Sequence, residues 1–228
     1  MQHLAVIPDG NRRWALRNKL ESFLGHQRGL EAAQNTIRAC IKRGIKFLSF
    51  YTFSIENFNR LESEKKYLFS LLANEFSKNL PKLIKNGIKV KFIGDTSYFP
   101  MQIKDTIVNI EEQTKDLGKL NLNILFCYGA RQEIVSAVKD IVKRVTNGVL
   151  TIDQIDEDLI SNSLWTKGIP EPDLIIRTSG VIRLSNFLLF QSAYSEFMFL
   201  NCYWPEITEE NILECVDKFE SVKRNFGK

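Results

Sequence analysis

No stretch of this 228-residue chain is apolar for long enough to cross a bilayer, which takes about 20 consecutive apolar residues. The opening Met1-Gln2-His3-Leu4-Ala5-Val6-Ile7-Pro8-Asp9 has no charged leader and no extended apolar core, so no secretory signal peptide is expected. Cysteine is scarce: Cys40, Cys127, Cys202 and Cys215 lie far apart, with no C-x-x-C spacing. That speaks against zinc and predicts a reduced, cytoplasmic chain whose thiols act mostly as small core groups. No run of Lys and Arg interleaved with aromatics is present, so no nucleic-acid partner is expected. No Pro/Gly/Ser-rich linker, internal repeat or low-complexity tract divides the chain. One domain over residues 1–228 follows as the expectation.

What is there is ordinary globular composition, 44% hydrophobic and 25% charged, with a formal net charge of +4. The modest positive charge suits an anionic ligand or an anionic membrane surface. Six short apolar runs recur at Leu4–Ile7, Phe47–Phe53, Val90–Ile93, Leu122–Cys127, Leu174–Ile176 and Phe197–Leu200. Each is apolar on both faces, as strands buried on both sides of a parallel sheet must be. Between them lie stripes at helical spacing, such as Leu30/Ala33/Ile37/Ile41 before Gly44 and Ile134/Val138/Ile141/Val145 before Asn147-Gly148. A longer stripe from Leu68 to Ile84 contains Pro81, which predicts a kink. Alternation of strand and helix predicts an α/β fold with crossover helices, whose ligands bind beyond the carboxyl ends of the strands.

Polar strings stand at those strand ends. The first strand runs into Pro8-Asp9-Gly10-Asn11-Arg12-Arg13-Trp14. Glycine lets backbone approach a ligand, and guanidiniums hold phosphate oxygens. A carboxylate there would be repelled by phosphate unless a divalent cation bridged them, so Asp9 reads as a magnesium ligand. A helix cap is the equally open alternative. Gly25-His26-Gln27-Arg28-Gly29 opens the first long helix, either as an anion site or as a loop with a solvated histidine. The second strand ends in Ser54-Ile55-Glu56-Asn57-Phe58-Asn59-Arg60, and the fifth in Arg177-Thr178-Ser179-Gly180 followed by Arg183-Leu184-Ser185-Asn186. The last pair of strings looks like a second diphosphate cradle, with a surface salt bridge as the alternative. Glu196 stands at the entrance of the sixth strand, where capping or ion pairing would also explain it.

Taken in order, these strings resemble the undecaprenyl diphosphate synthase family of cis-prenyltransferases. The match runs from His3 to Phe226-Gly227 and includes Tyr51-Thr52-Phe53-Ser54, Ile93-Gly94-Asp95, Tyr128-Gly129 and Asp173–Gly180. The Asp-rich D-D-x-x-D motifs of the all-helical trans class are absent. The resemblance implies a single α/β domain with a six-stranded, mainly parallel sheet flanked by helices and enclosing an apolar tunnel. It implies a homodimer, cytoplasmic with transient contact to the membrane surface, and a reaction between farnesyl diphosphate and isopentenyl diphosphate that leads to undecaprenyl diphosphate. By resemblance, Asp9 is the catalytic residue that binds Mg2+, and Glu196 is a second magnesium-associated carboxylate. Gly10, Asn11, Arg12, Arg13, His26 and Arg60 surround the allylic diphosphate. Ser54 and Asn57 lie near the reacting carbons, Asn57 orienting or relaying in the proton loss. Ile55, Glu56, Trp14 and Phe58 contact substrate, and Arg177, Arg183, Leu184 and Ser185 hold isopentenyl diphosphate.

The chain also departs from the family pattern. Ser22 stands where Arg is frequent, Phe58 where Trp is usual, and Val181 and Ile182 where polar residues are common. Arg224 near the C-terminus is a candidate for reaching a partner subunit's site. Two competing readings are a non-catalytic prenyltransferase-like partner subunit and a magnesium phosphohydrolase. The first would lose the catalytic aspartate, which this chain keeps. The second would need a further carboxylate cluster beside Asp9.

Overall fold

The computed structural model describes residues 1–221. Its six strands are β1 (His3–Ile7), β2 (Phe47–Ser54), β3 (Ile88–Ile93), β4 (Leu120–Tyr128), β5 (Leu174–Arg177) and β6 (Glu196–Phe199). All pair in parallel, in the order β3-β4-β2-β1-β5-β6. Each of the six apolar runs forms a strand. Parallel pairing is what such runs allow, because crossover helices cover both faces and leave little room for a polar side. The helices are α1 (Asn11–Arg17), α2 (Ser22–Arg43), α3 (Glu62–Lys85), α4 (Met101–Thr114), α5 (Ala130–Thr146), α6 (Glu157–Ser163) and α7 (Glu209–Ser221). Gly44 ends α2 in a left-handed conformation at φ 68°, where a Cβ would be strained. Thr208 caps α7, its Oγ accepting from Asn211 N at 3.3 Å. Pro81 lies inside α3, which continues through it to Lys85.

Successive strand residues alternate between two cores. Leu4 and Val6 join a large cluster with Ala39, Phe69, Ile107 and Val216 from the helices on one face. Ala5 and Ile7 join a smaller cluster with Tyr51, Leu125, Tyr128 and Phe187 on the other. The order of the sheet sets the place of the site. From β1 the chain crosses to β2 on one side, and from β5 to β6 on the other. A crevice therefore opens at the carboxyl ends of β1 and β5, where neither crossover covers the sheet. One irregularity matters there: the β2–β4 register slips between Tyr51 and Phe53, leaving Thr52 as an extra residue that bulges outward.

Candidate active site

Asp9 and Arg177 meet across that crevice. Arg177 Nη2 donates to Asp9 Oδ2 at 2.7 Å, and Arg13 Nη2 donates to Asp9 Oδ1 at 2.9 Å. Burial alone would push the Asp9 carboxyl up. The hydrogen bonds and charges of Arg177 and Arg13 outweigh it and hold the group below its ordinary value. Thr178, fully buried, accepts from Asp9 N at 2.9 Å and donates to Asp9 O at 2.6 Å, pinning the strand end from both sides. Arg177 is 4% exposed and donates through Nη1 to the Arg183 carbonyl and to Ser185 Oγ, the latter at 2.9 Å, while its Nε is buried without a partner. Arg13 also donates to Ser179 Oγ at 2.8 Å and lies over the Tyr203 ring.

Asp9, Arg13, Arg177, Arg183 and Ser185 line a polar cavity together with Gly10, Asn11, Arg12, His26, Ser54, Asn57 and Arg60. Among the described residues five arginines and one carboxylate face it, so the cavity is strongly electropositive and suited to polyanions. Asn57 closes a capping box with Ser54: its Oδ1 accepts from Ser54 N at 3.2 Å. The outward end of that amide is therefore its NH2, a donor.

Two glycines explain why the Gly25–Gly29 string lies where it does. It sits in the first two turns of α2, not at its first residue and not in a loop, which corrects the helix-terminus reading. A Cβ on Gly25 would lie 2.1 Å from the Asn11 carbonyl oxygen, and one on Gly29 would lie 2.6 Å from Asn11 Oδ1. Both glycines let α1 press against α2 and so place Arg12 and Arg13. His26 is turned inward, and burial with the nearby charges of Arg60 and Arg12 pushes it down to about 4. These surroundings hold it neutral at neutral pH. Its Nε2 and Asn11 Oδ1 are buried without a hydrogen-bond partner.

A second, apolar cavity of about 490 Å³ runs between α2, α3 and the sheet, lined by residues such as Ile37, Phe50, Leu68, Leu72, Phe76 and Leu122. Pro8, Asn11, His26 and Thr52 line both cavities, so the polar cavity and the apolar one adjoin. Local pattern gives no role to Thr52 or Tyr51. The first is placed by a bulge, which local pattern does not reveal.

The remaining expected residues fall elsewhere. Trp14, Ile55, Glu56, Phe58 and Leu184 line neither cavity. Phe58 packs edge-on to Phe53 at 5.1 Å between ring centroids, Leu184 packs on the smaller core, and Glu56 accepts from Asn186 Nδ2 at 2.8 Å. Glu196 requires a correction. It pairs in register with Leu174, at the amino end of the sheet, whereas Arg177 pairs with Phe199. Three residues of extended chain put it roughly 10 Å along the strand from the site, so within one chain it does not share a metal with Asp9. Ser22 lines the polar cavity. Ile182 is 78% exposed, and Arg224 lies outside the described residues. A single hard carboxylate beside an anion cradle is the donor set magnesium takes when diphosphate oxygens and water complete its shell, so these residues fit the ion.

The family model described as "Putative undecaprenyl diphosphate synthase" matches residues 7–227. The chain belongs to this family of cis-prenyltransferases. An isoprenyl transferase of Clostridium perfringens is 40% identical over 99% of this chain and 89% of its own length. A "tritrans,polycis-undecaprenyl-diphosphate synthase (geranylgeranyl-diphosphate specific)" of Thermoplasma acidophilum is also 40% identical, over 100% of this chain and 89% of its own length. Among solved structures, lavandulyl diphosphate synthase from Lavandula x intermedia, crystallised with dimethylallyl diphosphate, superposes with a TM-score of 0.96 at 31% identity, covering 100% of this chain and 98% of that one. One of these relatives is thus named as specific for geranylgeranyl diphosphate, and another is named for a different product, lavandulyl diphosphate. In this cis-prenyltransferase the strings that line the crevice are those by which the sequence resembled the family.

Proposed function

We propose that the enzyme condenses isopentenyl diphosphate onto farnesyl diphosphate repeatedly, to give undecaprenyl diphosphate, the precursor of a lipid carrier for cell-wall polysaccharide. One observation carries this reading: a cradle of five arginines adjoins an apolar cavity, the two sharing Pro8, Asn11, His26 and Thr52 in their walls. A diphosphate head with an isoprenoid tail has that division of polarity. Arg12, Arg13 and Arg60 hold the allylic diphosphate, with the tail passing Thr52 into the apolar cavity, which serves as the tunnel. Arg177, Arg183 and Ser185 hold isopentenyl diphosphate. Asp9 would hold magnesium, which when bound neutralises charge on the departing diphosphate. The arginines stabilise that same charge as the allylic C–O bond breaks and its electron pair leaves with the diphosphate. The isopentenyl double bond then forms the new C–C bond, and a proton is lost. Asn57 presents an NH2 and so orients substrate, and the proton passes to a diphosphate oxygen. The enzyme works as a cytoplasmic homodimer that touches the membrane transiently to deliver its apolar product.

The test incubates pure protein with labelled isopentenyl diphosphate, magnesium and either farnesyl or geranylgeranyl diphosphate, and resolves products by length. Long polyprenyl products from the farnesyl starter support the proposal. Preference for geranylgeranyl diphosphate, or arrest after one addition, would overturn the starter or the product. Phosphate release alone would indicate a hydrolase, and no turnover an accessory subunit.

A further inference from the structure

The loop that carries Ser185 and the turn that carries Asn57 lie more than a hundred residues apart in sequence, yet one side chain holds both. Asn186 Nδ2 donates to Glu56 Oε1 at 2.8 Å and to Gln132 Oε1 at 3.0 Å. Its Oδ1 accepts from Arg131 N at 2.9 Å, and its own carbonyl accepts from Ala130 N at 2.9 Å. Ser185 and Asn186 both adopt left-handed backbone, at φ 52° and 65°, a conformation asparagine tolerates better than most residues. Gly129 leaves the space: a Cβ there would lie 2.7 Å from Asn186 Nδ2 and 2.4 Å from Gln132 Oε1. Its own backbone is extended, φ −159°, so the need is for room and not for conformation.

Both ends of this contact adjoin the site. Ser185 accepts from Arg177 through its hydroxyl at 2.9 Å and from the Tyr51 hydroxyl through its carbonyl at 3.2 Å. Glu56 precedes Asn57 in the same short turn, Ile55–Asn59. We infer that Asn186 is a positioning residue whose clasp on Glu56 fixes the loop bearing Ser185 relative to the turn bearing Asn57, and that Glu56 acts in this clasp and not on substrate. The inference rests on the proposed division of the crevice into allylic and isopentenyl sides. Two substrates that must meet carbon to carbon make rate sensitive to the spacing of their holders, and a misplacement of about 1 Å can cost on the order of a hundredfold.

The test is a cycle of polarity. Asn186→Asp keeps an acceptor for Arg131 N but sets a carboxylate against Glu56. It should lower kcat about tenfold or more, while KM for farnesyl diphosphate barely moves. Glu56→Gln alone keeps an acceptor for Asn186 and should act mildly. In the double variant the new amide can donate to the new carboxylate, and most of the lost kcat should return. Gly129→Ala, which crowds the clasp with Glu56 intact, should lower kcat in the same way. Near-normal kcat for Asn186→Asp, or a double variant no better than it, would overturn the clasp. The same cycle read by melting temperature stands apart from turnover. If the wild type made no product, the functional reading would fall. Coupling between positions 56 and 186 in melting would still support the contact, and strict additivity would remove it.

Discussion

At the scale of single residues, Asp9 is where charge is concentrated. Its two oxygens are held by Arg13 and Arg177, and among the described residues no other carboxylate lines the polar cavity. Asp9→Ala should leave the fold intact and cut turnover by roughly a thousandfold, since each ~1.4 kcal/mol lost at the transition state is tenfold in rate. Steady-state assays at saturating magnesium check this, and near-normal turnover would remove Asp9 from catalysis. His26 supplies a pH prediction. Its folded value of about 4 lies below the 6.5 of a free imidazole. Above pH 6.5 both folded and unfolded chains hold it neutral, and it contributes no pH dependence. Between about 6.5 and 4 the unfolded chain takes a proton that the folded chain refuses, so stability falls as pH falls. His3, buried and also held at about 4, acts in the same direction. Denaturation midpoints should therefore fall from pH 7 to pH 5, and less steeply in His26→Gln. An unchanged slope would mean that His26 accepts a proton in the fold.

At the scale of elements, the docking of α1 on α2 decides where the first arginine pair sits. Gly25 faces the Asn11 backbone carbonyl, which cannot swing aside as a side-chain tip can. Gly25→Ala should cost about 1–3 kcal/mol through overpacking and should raise KM for the allylic substrate as α1 shifts. A melting curve and a KM measurement together check this. Loss of stability with unchanged KM would show that α1 does not position the arginines. The loop after β5 follows a different logic. Ser179, Ser185, Asn186 and Leu188 all have positive φ without being glycine, and such strain gathers where surrounding contacts fix a functional conformation.

At the scale of the whole molecule, no helix among the described residues is long and apolar enough to cross a membrane. Yet the proposed product is apolar. Sedimentation should show a dimer, and vesicles containing anionic lipid should bind the protein in a way that weakens with salt, because surface charge is screened beyond about 10 Å at 0.1 M. A fully active monomer would end the dimer proposal. Binding indifferent to both salt and lipid charge would end the electrostatic part of the membrane proposal.

The sequence by itself determined the strands, their parallel pairing class and the strings at their carboxyl ends, because apolar runs and glycine-rich turns are local signals. It also placed Asp9, Arg13, Ser54, Asn57, Arg60, Arg177 and Ser185 among the candidates, and all of them line one cavity. Tertiary structure decided what local pattern cannot carry. Strand order brought β1 beside β5 and joined Asp9 to Arg177, 168 positions away. Register moved Glu196 to the wrong end of the sheet for Asp9. The bulge at Thr52 set that residue in the wall shared by the polar and apolar cavities. Packing turned Gly25 and Gly29 from an anion motif into a helix contact, and it made His26 neutral, since burial acts on a group only once the chain has closed around it.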